Sequence, residues 1–196
     1  DPDGLAGSVS VVVAGLDLDN VVIVLQKPGM LGGRIEFEGG PPADLSPGQV
    51  RVQLMSIDLM SRSFFTSPPR TNDDFTFSIR GASGPALLRV FGAPGWYVTS
   101  VEAGGEDVTD RPITFAAGVD VPGIRILLTQ TASSVSGVVR DDRGNAVLDA
   151  TVIVFPADDT KWTFQSRFIK TARPDTHGRF ELRGLPAHAG YRVIAL

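Results

Sequence analysis

The chain has 196 residues, with 18 Lys and Arg against 22 Asp and Glu and a formal net charge of −4. That balance argues against a nucleic-acid partner or an acidic membrane surface held by bulk charge. Apolar residues at 42% and charged residues at 20% suit a packed core rather than a disordered acidic chain. The absence of Cys removes disulfides, thiolate zinc sites, iron–sulfur clusters and Cys nucleophiles together. No run of 18 apolar residues predicts membrane insertion, and a first residue of Asp1 without a leader-like segment predicts a processed chain or an excerpt.

In chain order, residues 8–26 come first, with Val9, Val11, Val13, Leu16, Leu18, Val21, Ile23 and Leu25 in a strongly strand-forming stretch. Next, Val50, Val52 and Leu54 alternate with Arg51 and Gln53, and Phe75, Phe77 and Ile79 alternate with Thr76, Ser78 and Arg80. The same period of two runs through Ile124, Ile126 and Leu128, then Val152 and Val154, then Phe180 and Leu182. Period two predicts half-buried strands. Gly, Pro, Asn or Asp bounds each segment, and no long stretch keeps a 3.6-residue period. The fold class read from these patterns is all-β, an antiparallel sandwich or barrel in which two sheets share one core.

The chain also matches itself. Ala14-Gly15-Leu16-Asp17-Leu18-Asp19-Asn20-Val21 aligns with Ala117-Gly118-Val119-Asp120-Val121-Pro122-Gly123-Ile124 at an offset of 103. Phe77-Ser78-Ile79-Arg80-Gly81 aligns with Phe180-Glu181-Leu182-Arg183-Gly184 at the same offset, and Gly33 with Gly137 at 104. The phase predicts three blocks. Residues 1–29 hold the closing strands of a preceding or partner sandwich, 30–130 form a complete sandwich, and 131–196 form a sandwich lacking its last strands. An incomplete sandwich exposes an edge and apolar faces.

Residues 135–196 carry two blocks, Val135-Ser136-Gly137-Val138-Val139-Arg140-Asp141-Asp142-Arg143-Gly144-Asn145-Ala146-Val147 and Asp175-Thr176-His177-Gly178-Arg179-Phe180-Glu181-Leu182-Arg183-Gly184-Leu185-Pro186. In combination they resemble the carboxypeptidase regulatory-like domain, a transthyretin-like (prealbumin-like) sandwich. The resemblance implies strand, Asp-x-x-Gly turn and next strand, in units strung through bacterial secreted and envelope proteins. Ala146 and Val147 depart from the Pro often found after that turn. Independently of the family, Asp141–Gly144 and Asp175–Gly178 read as hairpin turns, and Phe180, Leu182 and Val193 as core positions.

Chemistry is sparse. His177 and His188 are the only imidazoles, neither has metal-ligand spacing around it, and both read as solvated loop residues. Gly-x-Ser-x-Gly, Gly-x-Gly-x-x-Gly and Walker-type loops are missing, so no catalytic residue, metal ligand or cofactor is expected. The carboxylates Asp73-Asp74, Asp141-Asp142, Asp158-Asp159, Asp107 and Asp110 raise calcium but read as turn chemistry. Trp162, Phe164 and Phe168 at even spacing, with Trp96 and Tyr97, suggest either a glycan-stacking platform or a core stripe on a strand. Phe65 aligns with Phe168 at offset 103, which favours the core. Lys27, Lys161 and Lys170 are the only lysines available for an isopeptide cross-link.

The expectation is a non-enzymatic structural module of a secreted, cell-surface or periplasmic bacterial-type protein. Its partners are neighbouring copies of itself or adjacent repeats, joined head to tail into a filament when residues 8–26 complete an open sandwich. The alternatives are a carbohydrate-binding or adhesive module cut from a longer array, and closure of residues 8–26 onto their own chain.

Overall fold

The computed structural model describes residues 5, 9, 11–27, 29–57, 70–82, 84–116, 118–163 and 165–196. Its strands are β1 (Gly29–Phe37), β2 (Arg51–Ser56), β3 (Arg70–Thr71), β4 (Thr76–Ala82), β5 (Gly84–Phe91), β6 (Tyr97–Ala103) and β7 (Glu106–Asp107). They continue as β8 (Ile113–Phe115), β9 (Val121–Thr129), β10 (Ser133–Val138), β11 (Val152–Pro156), β12 (Lys170–Ala172), β13 (Arg179–Leu185) and β14 (Tyr191–Ala195). The helical content of the described residues is two short 3-10 turns, Pro47–Gln49 and Asp159–Lys161. The chain is all-β. It divides into two compact units, residues 1–93 with 100–127 and residues 94–99 with 128–196.

In the first unit a six-stranded sheet runs β3-β4-β1-β9-β6-β7 and a three-stranded sheet runs β2-β5-β8. Alternation decides which side chains are inside. Leu31, Ile35 and Phe37 of β1, Phe77 and Ile79 of β4 and Ile124, Ile126 and Leu128 of β9 are buried, as are Val52 and Leu54 of β2 and Phe115 of β8. Antiparallel pairing sets Gly33 opposite Phe77 and Leu31 opposite Ile79, with a bulge between Gly29 and Met30. Gly29 lies against the Val119 backbone and Gly33 against Ile124, so contacts advance in the same direction along β1 and β9. That pair runs parallel.

The second unit has a two-stranded sheet, β10-β13, and a three-stranded sheet, β12-β11-β14. Val152 and Val154 from one sheet meet Leu182 and Leu185 from the other in a small core. Gly137 stands opposite Phe180 and Val135 opposite Leu182, with a bulge between Ser133 and Ser134. The two expected turns form. Asp141 accepts from the Arg143 and Asn145 backbone N–H groups, Asp175 from those of His177 and Arg179, and Gly144 and Gly178 supply φ of 84° and 74°.

Three expectations need correction. Phe75 belongs to the turn before β4, at φ 60°, because its N–H bonds to the Asn72 carbonyl; its ring is still buried, edge-on to Phe37. Val193 is 45% exposed rather than core, because no strand lies beyond β14 on the side away from β11 among the described residues. The described residues of 162–168 lie in no strand, so the even spacing of Trp162 and Phe168 puts no stripe on a sheet face.

Candidate assembly segment and open strand edges

Residues 11–25 join no strand, and every one of them is exposed. Gly15 at φ 87° and Asn20 at φ 64° turn the segment. Val9, Val11, Val13, Leu16, Leu18, Val21 and Ile23, with Asp17, line an open groove of about 520 Å³. Single exposed apolar side chains are ordinary on a protein surface, whereas a contiguous set marks an interaction surface.

The sequence offset shows what these residues do elsewhere in the chain. Val21, Ile23 and Leu25 are 47%, 54% and 57% exposed, while the residues they align with, Ile124, Ile126 and Leu128, are 0%, 0% and 1% exposed. Leu16 aligns with Val119, which is itself exposed, so the match extends to a position that stays at the surface. Val22 aligns with Arg125, on the outer face of β9, where Arg125 pairs with Glu36 at 2.9 Å and Glu102 at 3.3 Å. The Arg125 guanidinium beside Glu36 holds that carboxyl below its ordinary range.

Two edges of the second unit are the complementary feature. β1 is flanked by β4 and β9, but among the described residues β10 has β13 alone. β5 is flanked by β2 and β8, but among the described residues β14 has β11 alone. The consequence is visible in burial: Leu31 and Ile35 are buried, while Val135 and Val139, which align with them at offset 104, are half-exposed. Val138 and Ile194 are exposed too. A strand with one neighbour among the described residues, beside half-covered apolar side chains, is a template for strand addition.

The local chemistry at the junction of β1 and β9 went unnoticed in the sequence. The Met30 N–H donates to the Asp120 carboxylate at 2.8 Å, just where the bulge interrupts β1. Asp17 aligns with Asp120 and Ser134 with Met30, and the shared Ala-Gly-x-Asp pattern was the available signal. Gly33 and Gly137 were seen to correspond, but their role was not. Each leaves room for the ring of the Phe opposite, Phe77 or Phe180.

The other candidates are scattered. Trp162 is exposed, caps the second 3-10 turn, stands edge-on to Phe155 and donates its indole N–H to the Pro156 carbonyl. Phe164 and Phe65 lie outside the described residues. Trp96 precedes β6 and Tyr97 opens it; both are half-buried, and Tyr97 packs on Gly184. Phe168 is buried under Lys161 and Arg167, 4.9 and 5.2 Å from its ring centre. Asp74, Asp107 and Asp158 each accept from a Thr two residues on, and such bonds from Thr76 and Thr160 hold the Asp74 and Asp158 carboxyls below their ordinary range. Among the described residues no group of three or more His, Cys, Asp or Glu is placed to hold a metal ion. Among them, too, no helix is long and apolar enough to cross a membrane.

No family model matches the chain, and no curated protein matches it in sequence. Among solved structures it is similar to a streptococcal ancillary pilin at 12% identity and a TM-score of 0.33, covering 92% of this chain and 63% of that one. The chain thus spans less than two thirds of that pilin. It is similar to a DUF3823 family protein from Parabacteroides merdae at 15% identity and a TM-score of 0.34, covering 87% and 99%. The shaft pilin SpaA of Lactobacillus rhamnosus GG matches at 10% identity and a TM-score of 0.31, covering 86% and 88%.

Proposed function

We propose that this chain is a non-enzymatic assembly module of a secreted or cell-surface protein, in tandem or repeated sandwiches joined head to tail by β-strand complementation. Residues 9–25 of one copy close the open sandwich at 131–196 of the next. The observation that carries the reading is the contrast between Val21, Ile23 and Leu25, exposed here, and Ile124, Ile126 and Leu128, buried at the aligned positions. The segment around Val11 aligns with β8 and that around Val21 with β9, the strands that flank β5 and β1. Their counterparts in the second unit, β14 and β10, each have one open side among the described residues. Burying the exposed half of three such side chains is worth about 1 kcal/mol each, before the cost of association.

Residues 9–25 supply no counterpart of β6 and β7, so complementation covers the β10 edge and leaves a new edge at the added strand. Of the aromatics named for the carbohydrate-binding reading, Trp162 is exposed and Trp96 and Tyr97 are half-buried, while Phe164 lies outside the described residues.

Light scattering and negative-stain microscopy test the reading on three proteins: residues 1–196, the same chain lacking residues 1–28, and the full chain with Val21→Asp and Ile23→Asp. Filaments or long oligomers from the first and monomers from the other two are expected. Monodisperse monomers from all three, or oligomers that persist in both variants, overturn it.

A further inference from the structure

We infer that the added strand enters in one register, fixed by two devices: Asp17 accepts the Ser134 N–H, and Val21 seats in the gap at Gly137. The inference rests on the complementation reading and adds the partner geometry. In the first unit β1 and β9 are held in phase by a polar and an apolar contact. The Asp120 carboxylate takes the Met30 N–H at the bulge, and Ile124 fills the space beside Gly33, where any Cβ would run into its carbonyl and side chain. The second unit has the receiving half of both contacts. Ser134 follows the bulge in β10 as Met30 does in β1, and Gly137 faces Phe180 as Gly33 faces Phe77. A Cβ on Gly137 meets the Phe180 ring at 2.9 Å and no other described residue closer than 3.9 Å, so its other side is open among the described residues. Residues 9–25 have the donating half, with Asp17 and Val21 spaced as Asp120 and Ile124 are.

Such a lock is needed because strands alternate with period two. A slip of two residues would still face Val21, Ile23 and Leu25 inward, so apolar patterning alone does not choose between the two positions. Asp17 and the glycine gap do choose, since a carboxylate accepting a backbone N–H is a directional, charge-assisted contact.

The next step along β1 and β9 brings Arg34 and Arg125 to Glu36, on the outer face of the sheet. The aligned positions are Val138 and Val22, both exposed here. With no native Cys in the chain, the full-length pair Val22→Cys with Val138→Cys reads the register without touching the core. Val22→Cys with Ser136→Cys is the slipped control, displaced by about 7 Å and therefore outside disulfide reach in the proposed register.

Under mild oxidation and non-reducing electrophoresis, the 22/138 pair should give a ladder of covalent multimers, with at least about tenfold less from 22/136. Adding Asp17→Ala should shift that ratio toward 22/136 by about tenfold, the scale of a lost charged hydrogen bond. A ladder favouring 22/136, or equal ladders, overturns the register while leaving complementation standing. Scattering oligomers with no ladder from either pair also overturn the register. Absence of both oligomers and ladders overturns complementation itself. A compact cross-linked monomer overturns the choice of a second copy as partner and assigns the segment to its own chain.

Discussion

Replacing Gly33 and Gly137 by Ala, one at a time, separates a glycine enclosed on both sides from one enclosed on a single side. A Cβ on Gly33 would lie 2.7 Å from Ile124 Cβ and 2.7 Å from the Phe77 ring, and closer still to the Ile124 carbonyl. A backbone atom cannot swing away, so β1 and β9 must separate. Overpacking of this kind costs about 1–3 kcal/mol, and the upper end applies where backbone is in the way. The stiffer unfolded chain returns about 0.4–1 kcal/mol, leaving Gly33→Ala about 2 kcal/mol less stable. At Gly137 the added Cβ meets the Phe180 ring at 2.9 Å, so the ring must shift, but no backbone atom stands that close. Strain at the lower end of the range is then partly offset by the entropy, so the expected loss is below about 1 kcal/mol. Urea unfolding of dilute monomer, followed by far-ultraviolet circular dichroism, measures both. Assembly should reverse the ranking for Gly137→Ala, since Val21 in the place of Ile124 would make the same clash; about 2 kcal/mol corresponds to roughly thirtyfold weaker association. Equal destabilisation of the two monomers refutes the claim that Gly137 is open on one side. Unimpaired assembly of Gly137→Ala refutes the seat for Val21.

Other consequences follow from the turns and from burial. Asp141 and Asp175 have carboxyls held below the ordinary 3.8, Asp141 first by the Asn145 side chain and Asp175 first by the Arg179 N–H. A depressed folded pKa contributes stability that is present above 3.8 and lost as pH falls through the lower folded value. Asp175→Asn should therefore flatten the acid limb of a pH–stability curve, and an unchanged limb would show that the turn contributes no linkage. Lys170 is pushed below its ordinary 10.5 by burial, so the unfolded chain binds its proton more tightly, and that contribution to stability rises with pH through the window up to 10.5. Lys170→Met should raise the urea midpoint at pH 7 and show a smaller gain at pH 10; the opposite trend would mean that its charge is compensated. Trp162→Phe should cost about 1 kcal/mol for the lost bond to Pro156, with assembly unchanged. Loss of assembly in that variant would place Trp162 at the copy–copy contact.

The sandwich class was legible because Val50, Val52 and Leu54, or Ile124, Ile126 and Leu128, alternate without interruption, and alternation maps directly onto a two-faced strand. The Asp141 and Asp175 turns were legible because Asp acceptors and positive-φ glycines leave a local signature. Phe75 misled because alternation reports on burial and not on backbone: its ring is inside, but a turn carries it there. Val193 misled because its burial depends on whether another strand lies beside β14, and pairing between distant segments leaves no trace in a local pattern. The aromatic set was legible in part: Phe168 is buried, as its repeat position implied, but the described residues of 162–168 lie in no strand, and even spacing implies a shared face only on one. For the assembly segment, apolar content was visible at once, but its polar component was not. Asp17 stands in the sequence only as one position of the Ala-Gly-x-Asp repeat, and Asp120 shows what the aligned position does against a bulged strand.

The same geometry explains why an exposed strand-former need not aggregate at random. An apolar alternating segment pairs with almost any open edge in several registers, and the resulting contacts differ little in buried area. β10 narrows that choice. Its outward residues Ser134 and Ser136 bury no apolar surface, and its inward Gly137 offers a gap where β1 elsewhere shows that nothing larger than glycine fits beside an added Ile. A strand that arrives with Val21 away from that gap leaves a void there, and one that arrives without Asp17 at the bulge leaves the Ser134 N–H unanswered. Each defect costs roughly 1–3 kcal/mol. Together they exceed the difference expected between registers of similar apolar area. In the proposed complementation, specificity on this edge thus comes from one missing side chain and one carboxylate, and hydrophobic burial supplies the affinity.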